Sequence, residues 1–270
     1  MVDGSREEQI KGAVKAYYGA RAAEVVPSCC GPEPCCGEAN VEAQAAVAAE
    51  EASRCCADAG TVSSLGCGDP LAFVDFQEGQ VVLDLGSGFG MEAILAAQMV
   101  GEGGKVIGLD MTPAMIDKAT KNAERAGVAP ITEFRLGEME EMPVDDESVD
   151  WIISNCVVNL SPDKERAFQE AYRVLKPGGK MMISDLVSSG LPEEVKRDLT
   201  SWAQCLGGTV EEAEYLGLMK NAGFDEVIVV DRFDATAALS GSTCCGPAPD
   251  VTTGPKIESI RVSATKTSGD

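Results

Sequence analysis

The chain has 270 residues, a net charge of −22, hydrophobic and charged fractions of 44% and 24%, and no histidine. The fractions are typical of one or two globular domains, and the negative charge argues against a nucleic-acid partner. No apolar run reaches the ~20 residues of a membrane span, and the lack of histidine excludes Ser-His-Asp triads and histidine-ligated metals. Because the first residues lack the basic and apolar pattern of a secretory signal, we expect a cytoplasmic protein with no membrane partner.

The most unusual feature is the number of cysteines, which is eleven. In a reducing compartment, such a content indicates metal or metalloid binding or redox chemistry before structural disulfides. Seven of the eleven lie in residues 1–78, a Cys-rich N-terminal extension.

The extension is predicted to contain two helices and a loop. Apolar residues at helical spacing predict a helix over 7–23, and an Ala/Glu-rich stretch predicts another over 40–54. Between them, the segment CCGPEPCC at 29–36 is predicted to be a loop, because its glycine and prolines prevent regular structure.

From residue 79 the sequence alternates short apolar runs with helical segments. This alternation predicts an α/β fold with a parallel sheet covered on both faces. We expect 79–231 to form the main domain, and 232–270 to contribute a loop and the final strand. The predicted strands are 81–86, 105–110, 131–136, 149–154, 180–185, 226–231 and 256–266, and the predicted helices are 91–100, 113–127, 164–176 and 192–206.

A glycine-rich turn, GSGFG at 86–90, follows the first predicted strand. Such a turn at the carboxyl end of a strand lets a ligand approach backbone N–H groups. The next strand ends in Asp110, whose carboxylate can accept both hydroxyls of a ribose. Asp84 beside the turn favours a cationic aminoacyl ligand over a pyrophosphate.

Four segments in order resemble class I S-adenosylmethionine-dependent methyltransferases: LDLGSG, GLDMTPAMIDKA, LGEMEEMPVDDESVDWIISN and EAYRVLKPGGKMMISD. The resemblance implies a Rossmann-like, mostly parallel sheet of seven strands with one antiparallel strand, completed by the last two predicted strands. It implies that S-adenosylmethionine is the cofactor. Together with Asp84, the implied cofactor-binding residues are Gly86, Ser87 and Gly88 at the methionine moiety, Asp110 at the ribose, Met111 on the adenine, Glu138 and the Met139 backbone at the adenine edge, and Asn155 at the amino group. Two alternatives stay open: the methionines could be core residues, and Glu138 could be solvated.

Three cysteines lie where the predicted sheet ends. Cys156 follows the strand at 149–154, Cys205 ends the predicted helix at 192–206, and Cys67 lies just before the first strand. A single cysteine at such a place is as well explained by buried packing. Three soft thiolates at the same edge of the sheet suit a soft trivalent centre.

The segments SNCVVNLSPDK, WAQCLGG and LGCGDP also resemble the arsenite methyltransferases, in a form closer to the microbial members. The resemblance implies that Cys67, Cys156 and Cys205 bind As(III) and act in catalysis. It also implies a fourth cysteine from the N-terminal segment, a role for which four residues compete: Cys29, Cys30, Cys35 and Cys36.

The chemistry that follows needs no general base. Arsenic held by three thiolates keeps a lone pair, which attacks the sulfonium methyl group, and it carries no proton to remove. Methylation oxidises arsenic to the pentavalent state, so a cysteine pair could return two electrons by forming a disulfide. The family-like pair is Cys67 with an N-terminal cysteine. A thiol reductant of the glutathione or thioredoxin type would then reduce it. The expected partners are arsenite, methylated arsenicals and thioredoxin, and the expected role is arsenic detoxification.

Other interpretations stay open. The CCGPEPCC loop could be a resolving redox pair, a metalloid-capture loop or a zinc site, and the similar CCGPAP segment with Cys244 and Cys245 could hold arsenic or be a plain tail. The whole chain could instead be a quinone-type methyltransferase, which needs no thiols, or a thiol-rich metalloid-binding protein on a methyltransferase fold.

Overall fold

The computed structural model describes residues 4–23, 68–236 and 254–267. Within them lies one seven-stranded sheet with the order β3-β2-β1-β4-β5-β7-β6. The first five strands pair in parallel, and β7 runs antiparallel to both of its neighbours, as the family resemblance implies. The strands are β1 Val81–Leu85, β2 Lys105–Asp110, β3 Thr132–Leu136, β4 Val149–Asn155, β5 Leu175–Ser189, β6 Asp225–Asp234 and β7 Lys256–Thr265.

Helices precede the sheet in the chain and connect its strands. In the described ranges, three short 3₁₀ turns accompany them, at Pro70–Phe73, Ala129–Ile131 and Val158–Leu160. The α-helices of the described residues are α1 Gly4–Ala23, α2 Met91–Val100, α3 Pro113–Arg125, α4 Lys164–Val174, α5 Glu193–Arg197, α6 Leu199–Ala203 and α7 Glu212–Asn221.

Alternate side chains of the central strands pack on opposite faces of the sheet. Leu83 and Ile152 belong to the apolar cluster that includes residues of α4 and α7. Their neighbours Val82 and Trp151 belong to a second cluster, which includes the alanines of α2. The sheet is therefore covered on both faces, which explains why its strands read as nearly continuous apolar runs.

The strand order reverses between β1 and β4. Leu85 of β1 pairs with Ser154 of β4, and Asn155 of β4 pairs with Ser184 of β5, so the carboxyl ends of these strands meet at one edge. In open parallel sheets, ligands bind at such a switch point. The loops after β1 and β4 are therefore the expected place for a site.

Two predicted helices differ from the observed ones. The helix predicted over 164–176 ends at Val174, because β5 begins at Leu175. The helix predicted over 192–206 is interrupted at Asp198, whose backbone is extended (ψ 123°) and whose carboxylate accepts a hydrogen bond from Ser201 N at 2.7 Å. An N-capping aspartate begins a new helix there, so Cys205 follows α6 instead of ending one long helix.

Helix α1 confirms the predicted helix over 7–23 and begins three residues earlier. Its residues Ile10 and Val14 are 1% exposed and pack in a cluster with Cys156, Leu160 and Cys205. The first helix of the chain thus lies over the edge of the sheet where β4 ends. Helix α7 is not among the predicted elements, and the helix predicted over 40–54 lies outside the described residues. None of the helices that the structure describes is long and apolar enough to cross a membrane.

Candidate active site

The loop after β1 is a tight backbone turn built on glycine. Gly86, Gly88 and Gly90 have φ of 68°, 51° and 82°, a region that side chains disfavour. A methyl group on Gly86 would overlap with Val157, the residue after Cys156. The glycine turn therefore packs directly against the loop that carries the first described cysteine.

Asp110, at the end of β2, is tied to the glycine turn. Its carboxylate accepts hydrogen bonds from Gly88 N at 3.0 Å and from Thr112 N at 2.8 Å. Burial raises the pKa of Asp110, although these two hydrogen bonds favour its charged form. The sequence predicted the position of this carboxylate, and the structure adds its role in fixing the turn.

A cluster of three acidic side chains, Asp84, Glu92 and Asp110, lies beside the same turn. Asp84 is 3% exposed, and its Oδ2 is one of several buried polar atoms without a hydrogen-bond partner among the described residues; Ser87 Oγ and Asn155 Oδ1 are two others. Burial, followed by the negative charges of Glu92 and Asp110, raises the pKa of Asp84 well above its ordinary value. A cationic ligand would offset the repulsion among these acidic groups, and its N–H groups would find unpartnered oxygens to accept from them.

Asn155, at the end of β4, is hydrogen-bonded to this acidic cluster. Its amide nitrogen donates to Gly68 O at 2.8 Å and to Glu92 Oε1 at 3.0 Å, which leaves its oxygen free to accept. Glu92 on α2 is a residue that the sequence reasoning missed. A carboxylate in the first turn of the helix after a glycine loop was the available signal.

Glu138 lies at the far side of the turn and is held by α1. Its two carboxylate oxygens contact Lys11 Nζ and Lys15 Nζ, each at 2.8 Å. Burial opposes the effect, but the two lysine hydrogen bonds hold the pKa of Glu138 below its ordinary value. The carboxylate is thus paired with two lysines and partly exposed. Met111 and Met139 are partly buried and pack against the two clusters on this side of the sheet.

Cys156 and Cys205 come together at the same edge. They are 2% and 4% exposed, and Cys205 Sγ donates to the Cys156 carbonyl oxygen at 2.8 Å. Both have left-handed backbones, with φ of 60° and 63°. Such strain in residues with side chains concentrates at functional sites.

The two cysteines differ in chemical state. Cys205 is a free thiol, whereas Cys156 is disulfide-bonded. Burial, and next the charge of Asp185, raise the pKa of the Cys205 thiol to about 12. Cys205 is therefore protonated near neutral pH.

A buried polar network that includes Asp185 and Lys164 lies next to Cys205. Asp185 accepts hydrogen bonds from Asn159 Nδ2 at 2.7 Å and from Tyr215 Oη at 3.1 Å. Burial raises the pKa of Asp185 and lowers the pKa of Lys164, and the attraction between the two charges opposes both shifts. Sequence reasoning missed this network. Its signal was polar residues in an otherwise apolar strand end (ISD at 183–185) and in NLSPDK at 159–164.

The remaining predicted cysteines cannot be placed. These residues lie outside the described ranges: Cys29, Cys30, Cys35, Cys36, Cys67, Cys244 and Cys245. In the part of the chain that the structure describes, no group of three cysteine or acidic side chains is arranged to hold a metal ion. A three-thiolate site would therefore need a third cysteine from these segments.

Comparison with known proteins shows where this geometry belongs. The family model described as "Methyltransferase domain" matches residues 76–223. An arsenite methyltransferase of Halobacterium salinarum is 46% identical over 177 residues, covering 65% of this chain and 45% of the relative. The human arsenite methyltransferase is 41% identical over 168 residues, covering 59% of this chain and 44% of the relative. The chain thus spans about half the length of the curated relatives it matches.

A solved structure extends the match to the fold. The crystal structure of an arsenic(III) S-adenosylmethionine methyltransferase from Chlamydomonas reinhardtii superposes with a TM-score of 0.65 at 33% identity, covering 78% of this chain and 72% of that one. The chain belongs to the arsenite S-adenosylmethionine methyltransferase family. The motifs from LDLGSG to KMMISD, which carry the resemblance in the sequence, all fall within the matched methyltransferase domain.

The described residues of this family member fit S-adenosylmethionine. The ligand carries a positive sulfonium and an ammonium group, and the described residues offer the unpartnered oxygens of Asp84 and Asn155. The glycine turn presents backbone without side chains, and Asp110 lies at the end of the neighbouring strand. A phosphate-bearing cofactor would meet three acidic groups here: Asp84, Glu92 and Asp110.

Proposed function

We propose that this methyltransferase transfers methyl groups from S-adenosylmethionine to arsenite, and that it serves arsenic detoxification. The observation that carries the proposal is the pair of buried cysteines, Cys156 and Cys205, joined by a 2.8 Å hydrogen bond beside the glycine turn. Soft thiolates are the ligands that a soft trivalent centre prefers. The names of the relatives support the same substrate.

The proposed cofactor residues contact different parts of the ligand. S-adenosylmethionine supplies an electrophilic methyl group when it is bound. We propose that Asp84 and Asn155 accept hydrogen bonds from its amino-acid end, that the backbone from Gly86 to Gly88 lies against that end, and that Asp110 accepts from the ribose. For the adenine, the proposed contacts are the side chain of Met111, the Glu138 carboxylate and the Met139 backbone.

The protein's own contribution is positioning and exclusion of water. We propose that Cys156, Cys205 and Cys67 hold arsenic, each losing its thiol proton to an arsenite hydroxyl, which leaves as water. Arsenic bound in this way keeps its lone pair, so no side chain needs to act as a base. The absence of histidine from the chain is compatible with this chemistry.

A thiol reductant is the second requirement that we propose. A disulfide-bonded Cys156 cannot bind arsenic, so the bond must be reduced before the site can form. Each methylation also removes two electrons from arsenic, which a cysteine pair could replace by forming a disulfide that the reductant reopens. A reductant of the glutathione or thioredoxin type, in a reducing cytoplasm, would serve both steps.

The test is an anaerobic reaction of arsenite, S-adenosylmethionine and a dithiol reductant, with arsenic products separated by chromatography and detected by mass. We expect methylated arsenicals that do not form without enzyme or cofactor. Cofactor binding without methylated product would favour a quinone-type or other small-molecule methyltransferase. Arsenite binding without cofactor binding would favour a metalloid-binding protein.

A further inference from the structure

One contact at the site belongs to neither the cofactor pocket nor the cysteine set. The hydroxyl of Tyr18, on the N-terminal helix, lies 3.8 Å from Cys205 Sγ, across 187 residues of sequence. The tyrosine is partly buried and packs against the cluster that contains both cysteines. Neither the glycine loop nor the cysteine motifs point to it.

The direction of this contact follows from the hydrogen bonds around Cys205. A thiol has one hydrogen, and Cys205 donates it to the Cys156 carbonyl oxygen at 2.8 Å, an atom that can only accept. The side of the sulfur that faces Tyr18 is therefore lone pair, and the tyrosine hydroxyl is the donor. When the Cys205 sulfur binds arsenic, it loses its thiol proton, and the Tyr18 hydroxyl is then the donor in the contact between the two side chains.

Helix α1 is anchored well enough to hold this donor in place. Two of its side chains, Ile10 and Val14, are buried against the core. On the same helix, Lys11 and Lys15 form ion pairs with the two carboxylate oxygens of Glu138. The helix that carries Tyr18 is thus held in place by apolar packing and by two ion pairs.

We infer that Tyr18 is a positioning residue for arsenite, because its hydroxyl orients the sulfur of Cys205 toward the incoming substrate. The inference rests on the proposed function, in which Cys205 is an arsenic ligand. It assigns to α1 a part in substrate binding and no part in the methyl transfer itself. A donor that fixes one rotamer of a ligand reduces the conformational freedom that binding must remove.

The test compares Tyr18→Phe with a matched control, Tyr17→Phe. The rings of Tyr17 and Tyr18 pack edge to face with centroids 5.3 Å apart, and Tyr17 makes no side-chain hydrogen bond to the described residues that would be lost. Both variants keep the ring and remove one hydroxyl. Steady-state kinetics with each substrate varied in turn, thermal melting and calorimetric cofactor binding are measured on the reduced full chain.

We expect Tyr18→Phe to raise the KM for arsenite roughly 3- to 10-fold, the usual effect of one lost hydrogen bond, with little change in kcat, cofactor affinity or melting temperature. Tyr17→Phe should match the wild type. An unchanged arsenite KM in Tyr18→Phe, or an equal rise in Tyr17→Phe, would overturn the inference. Wild-type enzyme without methylated product would instead defeat the proposed function, and the inference with it.

Discussion

At the scale of single residues, the strongest sign of function is backbone strain at the two described cysteines. Four residues other than glycine have a positive φ in the described chain, and Cys156 and Cys205 are two of them. Left-handed backbone at a residue with a side chain costs about 1–3 kcal/mol and persists where the surroundings impose it. Here the glycine turn packs against Val157, next to Cys156, and Gly208 packs against Asn159 in the same loop.

Cys205 should react slowly with alkylating reagents near neutral pH. Burial raises its pKa to about 12, and each unit above the ordinary value lowers the thiolate fraction about tenfold. We predict that iodoacetamide labels Cys205 in the reduced folded protein at least roughly 100-fold more slowly than after unfolding. The folded-state rate should rise with pH through the whole range above 8. Peptide mass spectrometry follows the labelling, and fast labelling of the folded protein at pH 7 would contradict the burial.

Removing the Asp110 carboxylate should weaken cofactor binding. Asp110→Ala removes the acceptor for Gly88 N and Thr112 N as well as the proposed ribose contact. We predict a loss of about 1–3 kcal/mol of binding free energy for S-adenosylmethionine in calorimetry. Asp117→Ala, which removes the same charge from the exposed side of α3, is the control. Equal affinities in the two variants would show that Asp110 does not serve the cofactor.

Residues that are near in sequence were the predictable part of the site. The glycine turn, Asp110 and the two cysteines each lie at or just after the end of a strand or helix. Their residue type and their place in the pattern were therefore enough to predict them as site residues. The partners of Glu138 and Cys205 were not predictable, because Lys11 and Tyr18 lie 127 and 187 residues away. A lysine or tyrosine on a helix gives no signal in the sequence for so distant a partner.

At the scale of elements, the distance between the cysteines depends on how α6 docks against the loop after β4. Gly208 follows α6 and lies against Asn159, in the 3₁₀ turn just after Cys156. A methyl group on Gly208 would overlap with the Asn159 carbonyl oxygen and press on the ring of Trp202. One of the two segments would have to move.

Gly208→Ala should therefore separate the two thiols. We predict a loss of about 1–3 kcal/mol in stability, typical of overpacking, and a larger loss of arsenite binding than of cofactor affinity. Gly217→Ala on α7 is the control, because nothing lies within 4 Å of the added methyl group. A helical glycine replaced by alanine should keep or slightly raise stability. Equal arsenite binding by both variants would mean that the docking of α6 does not determine the arsenite site.

The elements themselves were largely predictable. All seven strands appear at the predicted places, because their apolar runs are buried on both faces. Errors occur where local signals compete. Leu175–Ser189 extends backward through a Pro-Gly-Gly turn that reads as a break, and Asp198 caps a new helix inside a segment that reads as one. The connectivity of β7 to β5 and β6 came from the family resemblance and not from the pattern.

At the scale of the whole molecule, the dominant property is the net charge of −22. Uncompensated like charges on a compact protein repel one another, and dissolved salt screens that repulsion. Cationic substrates are favoured by the same field, and S-adenosylmethionine carries a positive sulfonium.

Salt should therefore stabilise the fold. We predict that the melting temperature rises as NaCl increases from low concentration toward 1 M, most steeply at the low end where the screening length changes most. Differential scanning calorimetry at constant pH measures it. The same osmolality of sucrose serves as the control for general exclusion effects. A melting temperature that falls or stays constant with salt would mean that self-repulsion does not limit stability.

The most direct test of the account is the effect of losing one thiol on each of the two ligands. Cys205→Ser replaces a buried sulfur by a smaller oxygen and changes none of the proposed cofactor residues, since Asp84, Asp110 and Asn155 lie on strands whereas Cys205 follows α6. We predict that the reduced variant binds S-adenosylmethionine with the wild-type affinity in calorimetry, and that it forms no methylated arsenical in the anaerobic assay. Wild-type rates of arsenite methylation by Cys205→Ser would contradict the claim that the buried cysteine pair holds the substrate.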